Sequence, residues 1–170
     1  VSVPIHMSST FARGSISSPP QGYEYSRADN PTRTALQRSL AALEGGRHAL
    51  ASASGLAAIT NLMFLLKPRD HVLSSDDVYG GTHRLFAKII SRYGINFDFV
   101  DFSDLRSLDR VKDARMVWLE TPTNPLLKIY DICEISKLAH KNNALVVVDN
   151  TFASPYFQNP LALGADVVLH

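Results

Sequence analysis

Asp149 closes a run of five apolar residues, Ala144-Leu145-Val146-Val147-Val148, three of them β-branched. Such a run predicts a strand buried on both faces, as in a parallel sheet. Ligands of open α/β sheets gather outside the carboxyl ends of the strands. A carboxylate here therefore either caps the following turn or offers fixed negative charge to a bound group. Three other stretches have chemistry of their own. Ser54-Gly55-Leu56 is a small-residue turn opening an apolar segment. Its first amides would be unpaired at the positive end of a helix, an anion cradle, or the small residues merely permit close packing. Tyr79-Gly80-Gly81 offers an aromatic ring, with two glycines expected to let the backbone turn sharply after it. Asn124 stands between Pro122 and Pro125, which stiffen its loop and remove backbone donors.

The elements that must position these groups alternate along the chain. Residues 1–31, rich in Ser, Pro and Gly, predict an extended arm that carries Tyr25 and Arg27. A helix is expected from about Thr32, with Leu36, Leu40 and Leu43 as its apolar stripe and Gly45-Gly46 as its stop. Leu56 to Leu66 predicts a buried helix, and His71 to Ser74 a short strand. Asp76 to Thr82 is expected as a loop. Leu85, Phe86, Ile89, Ile90 and Tyr93 then recur at helical spacing up to Gly94. Arg84, in that helix's first turn, gains nothing from the dipole, so it either serves a ligand or is solvated. Strands are expected at Asn96–Val100, Met116–Glu120 and Asp166–Leu169, and a short polar helix at Asp104–Lys112. Asp131 with Glu134 resembles a capping box opening a helix with Ile132, Ile135, Leu138 and Ala139 on one face. Thr151 to Tyr156 is expected as a loop. This β-α alternation predicts an α/β fold, a mostly parallel sheet with helices on both faces.

Composition narrows the function classes. The 170 residues and 45% hydrophobic content suit one domain with a real core. A net charge of +1 gives no footprint for nucleic acid or an anionic membrane, and no apolar run approaches a membrane span. The single cysteine, Cys133, allows no internal disulfide, is expected to be a packed thiol, and suggests a reducing, cytoplasmic setting. Six histidines show no metal spacing such as H-E-x-x-H, so no metal site is expected. G-x-G-x-x-G, Walker and G-x-S-x-G motifs are absent.

Taken together, an anion cradle, a stacking ring, a fixed amide and a carboxylate match the needs of pyridoxal phosphate: a phosphate, a flat ring, a phenolic oxygen and a pyridine nitrogen. Six collinear motifs carry a closer likeness. Tyr25-Ser26-Arg27, Asn30-Pro31-Thr32-Arg33, Ala53-Ser54-Gly55-Leu56-Ala57-Ala58, Asp77-Val78-Tyr79-Gly80-Gly81-Thr82, Glu120-Thr121-Pro122-Thr123-Asn124-Pro125 and Val148-Asp149-Asn150-Thr151-Phe152 resemble the pyridoxal-phosphate enzymes of transsulfuration. These are the cystathionine γ-lyases, γ-synthases and β-lyases and the methionine γ-lyases. The resemblance implies an aminotransferase-like fold type I domain. Residues 1–46 would be the arm and first helix, making intersubunit contacts, and 47–170 a partial cofactor-binding domain.

The resemblance also implies roles. Asp149 would pair with the pyridine nitrogen and keep it protonated, and Tyr79 would stack on the ring and assist proton movement. Amides of Gly55 and Leu56 would hold the phosphate. Asn124 would bond near the phenolic oxygen, and Thr151 would support the ring or Asp149. Tyr25 and Arg27 would reach the phosphate of the neighbouring subunit's cofactor, in a homotetramer built from dimers sharing sites. Arg27, Tyr79 and Arg84 would contact the substrate. The family's Schiff-base lysine lies in a Ser-x-Thr-Lys run beyond His170, so the chain is expected to be an N-terminal part, inactive alone. Among reactions, the motifs Tyr23-Glu24-Tyr25-Ser26-Arg27 and Ser154-Pro155-Tyr156 favour γ-elimination of L-cystathionine to cysteine, 2-oxobutanoate and ammonia. The stretch Gln158 to Asp166 looks as much like a γ-synthase, whereas Gly81 stands where methionine γ-lyases usually carry Cys. A non-catalytic cofactor-binding relative is the alternative from another class.

Overall fold

The computed structural model describes residues 3–17 and 22–170; the parts of the expected arm at 1–2 and 18–21 lie outside them. The chain divides into two compact units after Ala51.

In the first unit the arm folds back on itself instead of running out extended. Thr10 and Tyr25 form an antiparallel bridge, and the Phe11 and Ser26 amides donate to the Glu24 and Ser9 carbonyls at 3.1 and 2.9 Å. Helix α1, Pro31–Glu44, starts where expected because Asn30 caps it, its side chain accepting from the Thr32 amide at 2.9 Å, with Pro31 in the first turn. Gly45, at φ 69°, ends it in the left-handed conformation that glycine adopts without steric cost. The expected apolar stripe is not buried here. Leu36 and Leu43 are more than half exposed, while Glu44 is buried.

The second unit is built on a five-stranded, wholly parallel sheet. Its strands are β1 (His71–Ser75), β2 (Asn96–Val100), β3 (Met116–Glu120), β4 (Leu145–Asp149) and β5 (Val167–Leu169). Their order is β2-β1-β3-β4-β5. Successive side chains point to opposite faces, and both faces are covered. Met116 and Trp118 pack with helix α2 (Gly55–Met63) and with Leu85, Phe86 and Ile90. Val117 and Leu119 pack with helix α5 (Ile132–Lys141) and Val111. Val146, Val147 and Val148 are fully buried, which explains the unbroken apolar run: each contributes about 1.5–3 kcal/mol.

Several helices differ from expectation. α2 ends at Met63, and Phe64 and Leu65 are exposed, so the element is shorter and only half buried. Gly80 and Gly81 make no sharp turn. Both have ordinary negative φ and open helix α3, Gly80–Arg84. That helix continues as a π-helical turn, Leu85–Ile89, and a 3₁₀ turn, Ile90–Tyr93. The wider turn breaks the 3.6-residue period. Leu85, Phe86 and Ile90 stay buried, but Ile89 and Tyr93 rotate out to solvent. The segment expected as one polar helix is a single turn, α4 (Leu105–Leu108), followed by a 3₁₀ turn at Asp109–Asp113. Asp131 caps α5 by accepting from the Glu134 amide at 2.9 Å. The loop after β4 contains a further turn, α6 (Ser154–Phe157).

Candidate active site

The strand order reverses direction between β1 and β3, since β2 lies outside β1 while β4 and β5 follow β3. At such a switch point loops diverge and leave a crevice beyond the carboxyl ends. A cavity of about 370 Å³ opens there, lined by Gly55, Tyr79, Glu120, Asn124, Asp149 and Thr151 among others. A larger opening of about 440 Å³ lies at the amino ends, beside Arg115, Ala144 and Asp166, away from every group singled out by type and spacing.

Asp149 is 7% exposed and stands at the end of β4. Its Oδ1 accepts from the Thr151 amide at 3.1 Å and from the Thr151 hydroxyl at 2.5 Å. Burial pushes the carboxyl upward, against the Thr151 bonds and the nearby His170, which pull it down. A buried carboxylate in this position favours a cationic N–H partner, which would restore the solvation burial removes. The loop after Asp149 is itself fixed. Asn150 is fully buried, and its amide group exchanges bonds of 2.8 and 2.9 Å with Gln158, which also donates to the Thr121 carbonyl at 2.8 Å.

Ser54 caps α2, its hydroxyl accepting from the Ala57 amide at 3.1 Å. The Ala58 amide bonds the Ser54 carbonyl. Among the described residues nothing accepts from the N–H groups of Gly55 or Leu56, which remain available to an anion. A Cβ on Gly55 would meet only the His170 carbonyl oxygen, at 3.8 Å, so the space beside it is open for a ligand.

Tyr79 projects its ring from the start of α3 and is 47% exposed. Gly81 lets the ring lie close to the backbone. A Cβ there would lie 2.4 Å from the Tyr79 ring, so glycine admits the ring and does not make a turn. Asp77 ties this segment to the Asn124 loop, accepting from the Thr123 hydroxyl and from the Leu126 amide. Lys128 bridges Asp76 and Asp101, and its hydrogen bond, with Ser103, holds Asp101 down at about 2. The loop bearing Asn124 is thereby clamped to the loop bearing Tyr79.

Glu120 went unnoticed in the sequence as a site residue. It ends β3, lies in register beside Asp149 on β4, and is 6% exposed. Burial, with Asp149 and Asp77 nearby, pushes its carboxyl up to about 7 despite a bond from the Tyr79 amide. Nothing local marks it, because its partner is remote in sequence.

The structure thus brings Gly55, Leu56, Tyr79, Asn124, Asp149 and Thr151 to one cavity. Arg84 is exposed and does not line it. Tyr25 and Arg27 belong to the first unit, where the Arg27 guanidinium lies 4.6 Å from the centre of the Tyr25 ring. Cys133 is partly buried and unpaired in any disulfide. No helix among the described residues is long and apolar enough to cross a membrane.

Comparison with known proteins agrees with this geometry. A probable cystathionine gamma-synthase of Herpetosiphon aurantiacus is 54% identical over 172 residues, which cover 100% of this chain and 54% of that protein. A cystathionine beta-lyase of Lactococcus lactis subsp. cremoris is 51% identical over 172 residues, covering 100% of this chain and 45% of that protein. The crystal structure of a cystathionine gamma-lyase from Lactobacillus plantarum, complexed with L-serine, superposes with a TM-score of 0.92 at 47% identity, covering 99% of this chain and 44% of that one. The chain spans about half the length of the curated relatives it matches. With the profile described as "Cys/Met metabolism PLP-dependent enzyme" matching residues 1–170, the chain belongs to that pyridoxal-phosphate-dependent family.

Proposed function

We propose that this chain is the first half of a carbon–sulfur lyase that carries out γ-elimination of L-cystathionine, giving cysteine, 2-oxobutanoate and ammonia. The observation that carries the reading is a buried carboxylate, Asp149, held by Thr151 and facing a cavity that Tyr79 and the start of α2 also line. When bound there, pyridoxal phosphate supplies an electron sink for negative charge developing at the substrate's α-carbon.

The chain's own residues have separable tasks in this reading. Gly55 and Leu56 present unpaired amides and a helix N-terminus to the phosphate. Asp149 holds a proton on the ring nitrogen, and Thr151 orients the carboxylate that does so. Tyr79 covers one ring face, and Asn124 donates toward the phenolic oxygen. Tyr25 and Arg27 serve the neighbouring subunit's cofactor in a homotetramer of site-sharing dimers, and Arg27 and Tyr79 contact the substrate; Arg84, exposed and outside the cavity lining, is given no part in it. The substrate class is a small amino acid, in keeping with the family, and the reducing setting of a lone thiol suits a cytoplasmic enzyme.

The test is to give L-cystathionine to the full-length protein and identify the keto acid released. 2-Oxobutanoate is expected. Pyruvate would replace this reading with β-elimination. A second reading, γ-replacement, is favoured by the name of the 54% identical relative. Net formation of cystathionine from cysteine and an activated homoserine, with no keto acid from cystathionine, would establish it instead.

A further inference from the structure

Glu120 lies in this cavity without a role in the reading above. It is a carboxylate 6% exposed at the end of β3. Both of its oxygens accept from one donor, the Tyr79 backbone N–H, at 2.9 and 3.1 Å. That N–H belongs to the residue preceding α3, where amides have no partner inside the helix and the dipole favours negative charge. The Tyr79 side chain makes no cap bond of its own. Its ring is half exposed and lies against the buried Gly81, close enough that a Cβ there would meet it. The direction of the ring therefore depends on where the Tyr79 backbone is pinned.

We propose that Glu120 is a positioning residue for Tyr79: from the rigid end of β3 it pins the Tyr79 amide and so fixes the ring over the cavity that Asp149 faces. The inference rests on the reading that this cavity takes pyridoxal phosphate. The charged or titratable groups facing Glu120 are Asp149 on β4, Asp77 in the loop before Tyr79, and Tyr79 itself; His170, after β5, faces Asp149. Burial first, and the neighbouring carboxylates after it, disfavour charge on Glu120, and its raised pKa agrees with a group that works as a hydrogen-bond acceptor in either protonation state.

The experiment uses the full-length holoenzyme, with the dissociation constant for pyridoxal 5'-phosphate and the circular dichroism of the bound cofactor as readouts. Glu120→Ala, Glu120→Gln, Tyr79→Ala and the double variant Glu120→Ala/Tyr79→Ala form the set. Glu120→Ala is expected to weaken binding about threefold to tenfold and to alter the cofactor's dichroism. Glu120→Gln keeps an acceptor and is expected to restore both to near wild type. In the Tyr79→Ala background the Ala substitution is expected to change binding by less than about twofold, because the ring it positions is gone. Equal losses in both backgrounds, or no loss in either, would overturn the proposal. If Glu120→Ala does not fold, Glu120→Met, similar in size but without the carboxylate acceptor, takes its place with the same expected losses, and an unchanged affinity and dichroism for it overturns the proposal. A wild-type enzyme that binds no pyridoxal 5'-phosphate would overturn the functional reading, and this inference with it. Normal wild-type binding with unresponsive variants would overturn this inference only.

Discussion

Gly81→Ala separates the fold's demands from the site's. A Cβ at residue 81 would lie 2.4, 3.0 and 3.1 Å from Cε1, Cδ1 and Cζ of Tyr79. Carbon atoms in contact prefer about 3.5–4.0 Å, so the ring must retreat by roughly 1 Å or more. It has room, being 47% exposed. Residue 81 is helical with an ordinary φ, and alanine there gains about 0.5–1 kcal/mol over glycine. The packing that a half-exposed ring gives up is of similar size, so folding stability should change by less than about 1 kcal/mol. The cofactor should respond more. Aromatic stacking contributes about 0.5–1.5 kcal/mol, so a displaced ring predicts a roughly twofold to tenfold rise in the dissociation constant for pyridoxal 5'-phosphate. Urea denaturation and cofactor titration of the full-length variant measure the two effects separately. A loss of stability above about 3 kcal/mol would show that the ring is anchored in the fold. Unchanged affinity would show that it does not stack on the cofactor.

The remaining predictions concern charge and subunit exchange. Glu120 has its carboxyl raised from 4.5 to about 7 in the folded chain, so its contribution to stability is complete below pH 4.5 and is lost as the pH rises to about 7. The loss is about 3 kcal/mol in all, and Glu120→Gln should remove that component. A stability difference between variant and wild type that is the same at pH 4.5 and pH 8 would refute it. Asp149→Ala should abolish turnover while the cofactor is still retained, because bonds to the charged phosphate contribute about 1.5–3 kcal/mol each; wild-type turnover would return Asp149 to a turn-capping role. Two inactive variants, Arg27→Ala and Asp149→Ala, should regain roughly a quarter of wild-type activity when co-refolded, since a hybrid dimer would hold one intact site. No recovery, with hybrids confirmed by tags, would place Arg27 in its own subunit's site.

The parts of this molecule that were legible in the sequence are those fixed locally or by burial on two sides. β3 and β4 were readable from runs of Met, Val, Trp and Leu, because a strand packed on both faces is apolar along most of its length. Helix starts at Asn30, Ser54 and Asp131 follow from short side chains that reach amides two or three residues on. The π-helical turn at Leu85–Ile89 was not legible. It sits where Phe86 packs edge-on to Trp118 at 5.3 Å and stacks on Phe97 at 4.7 Å, contacts made with other elements. The glycines after Tyr79 were misread for a related reason: what Gly81 makes room for is a side chain, which a local turn rule does not represent. Periodicity marked Leu36, Leu40 and Leu43 as one face, but a period says nothing of what covers that face. Glu120 was missed because its partner, the Tyr79 amide, is 41 residues away in sequence.

Two carboxylates end adjacent strands in register, and their surroundings assign them different tasks. Asp149 and Glu120 are both buried, so the site cannot ionise both without large cost. Burial raises the Asp149 carboxyl, and two bonds from Thr151 with His170 nearby oppose that rise. Glu120 takes a single N–H, and burial, with Asp149 and Asp77 facing it, disfavours its anion. With its carboxyl pushed up to about 7 by burial and by these neighbours, Glu120 in its protonated form relieves Asp149 of an adjacent charge. A neutral Glu120 still accepts from the Tyr79 amide, and of the two carboxylates only Asp149 is held by Thr151. The order of the two strands, with β3 feeding the loop of Asn124 and β4 that of Thr151, places these unequal carboxylates side by side without a further element.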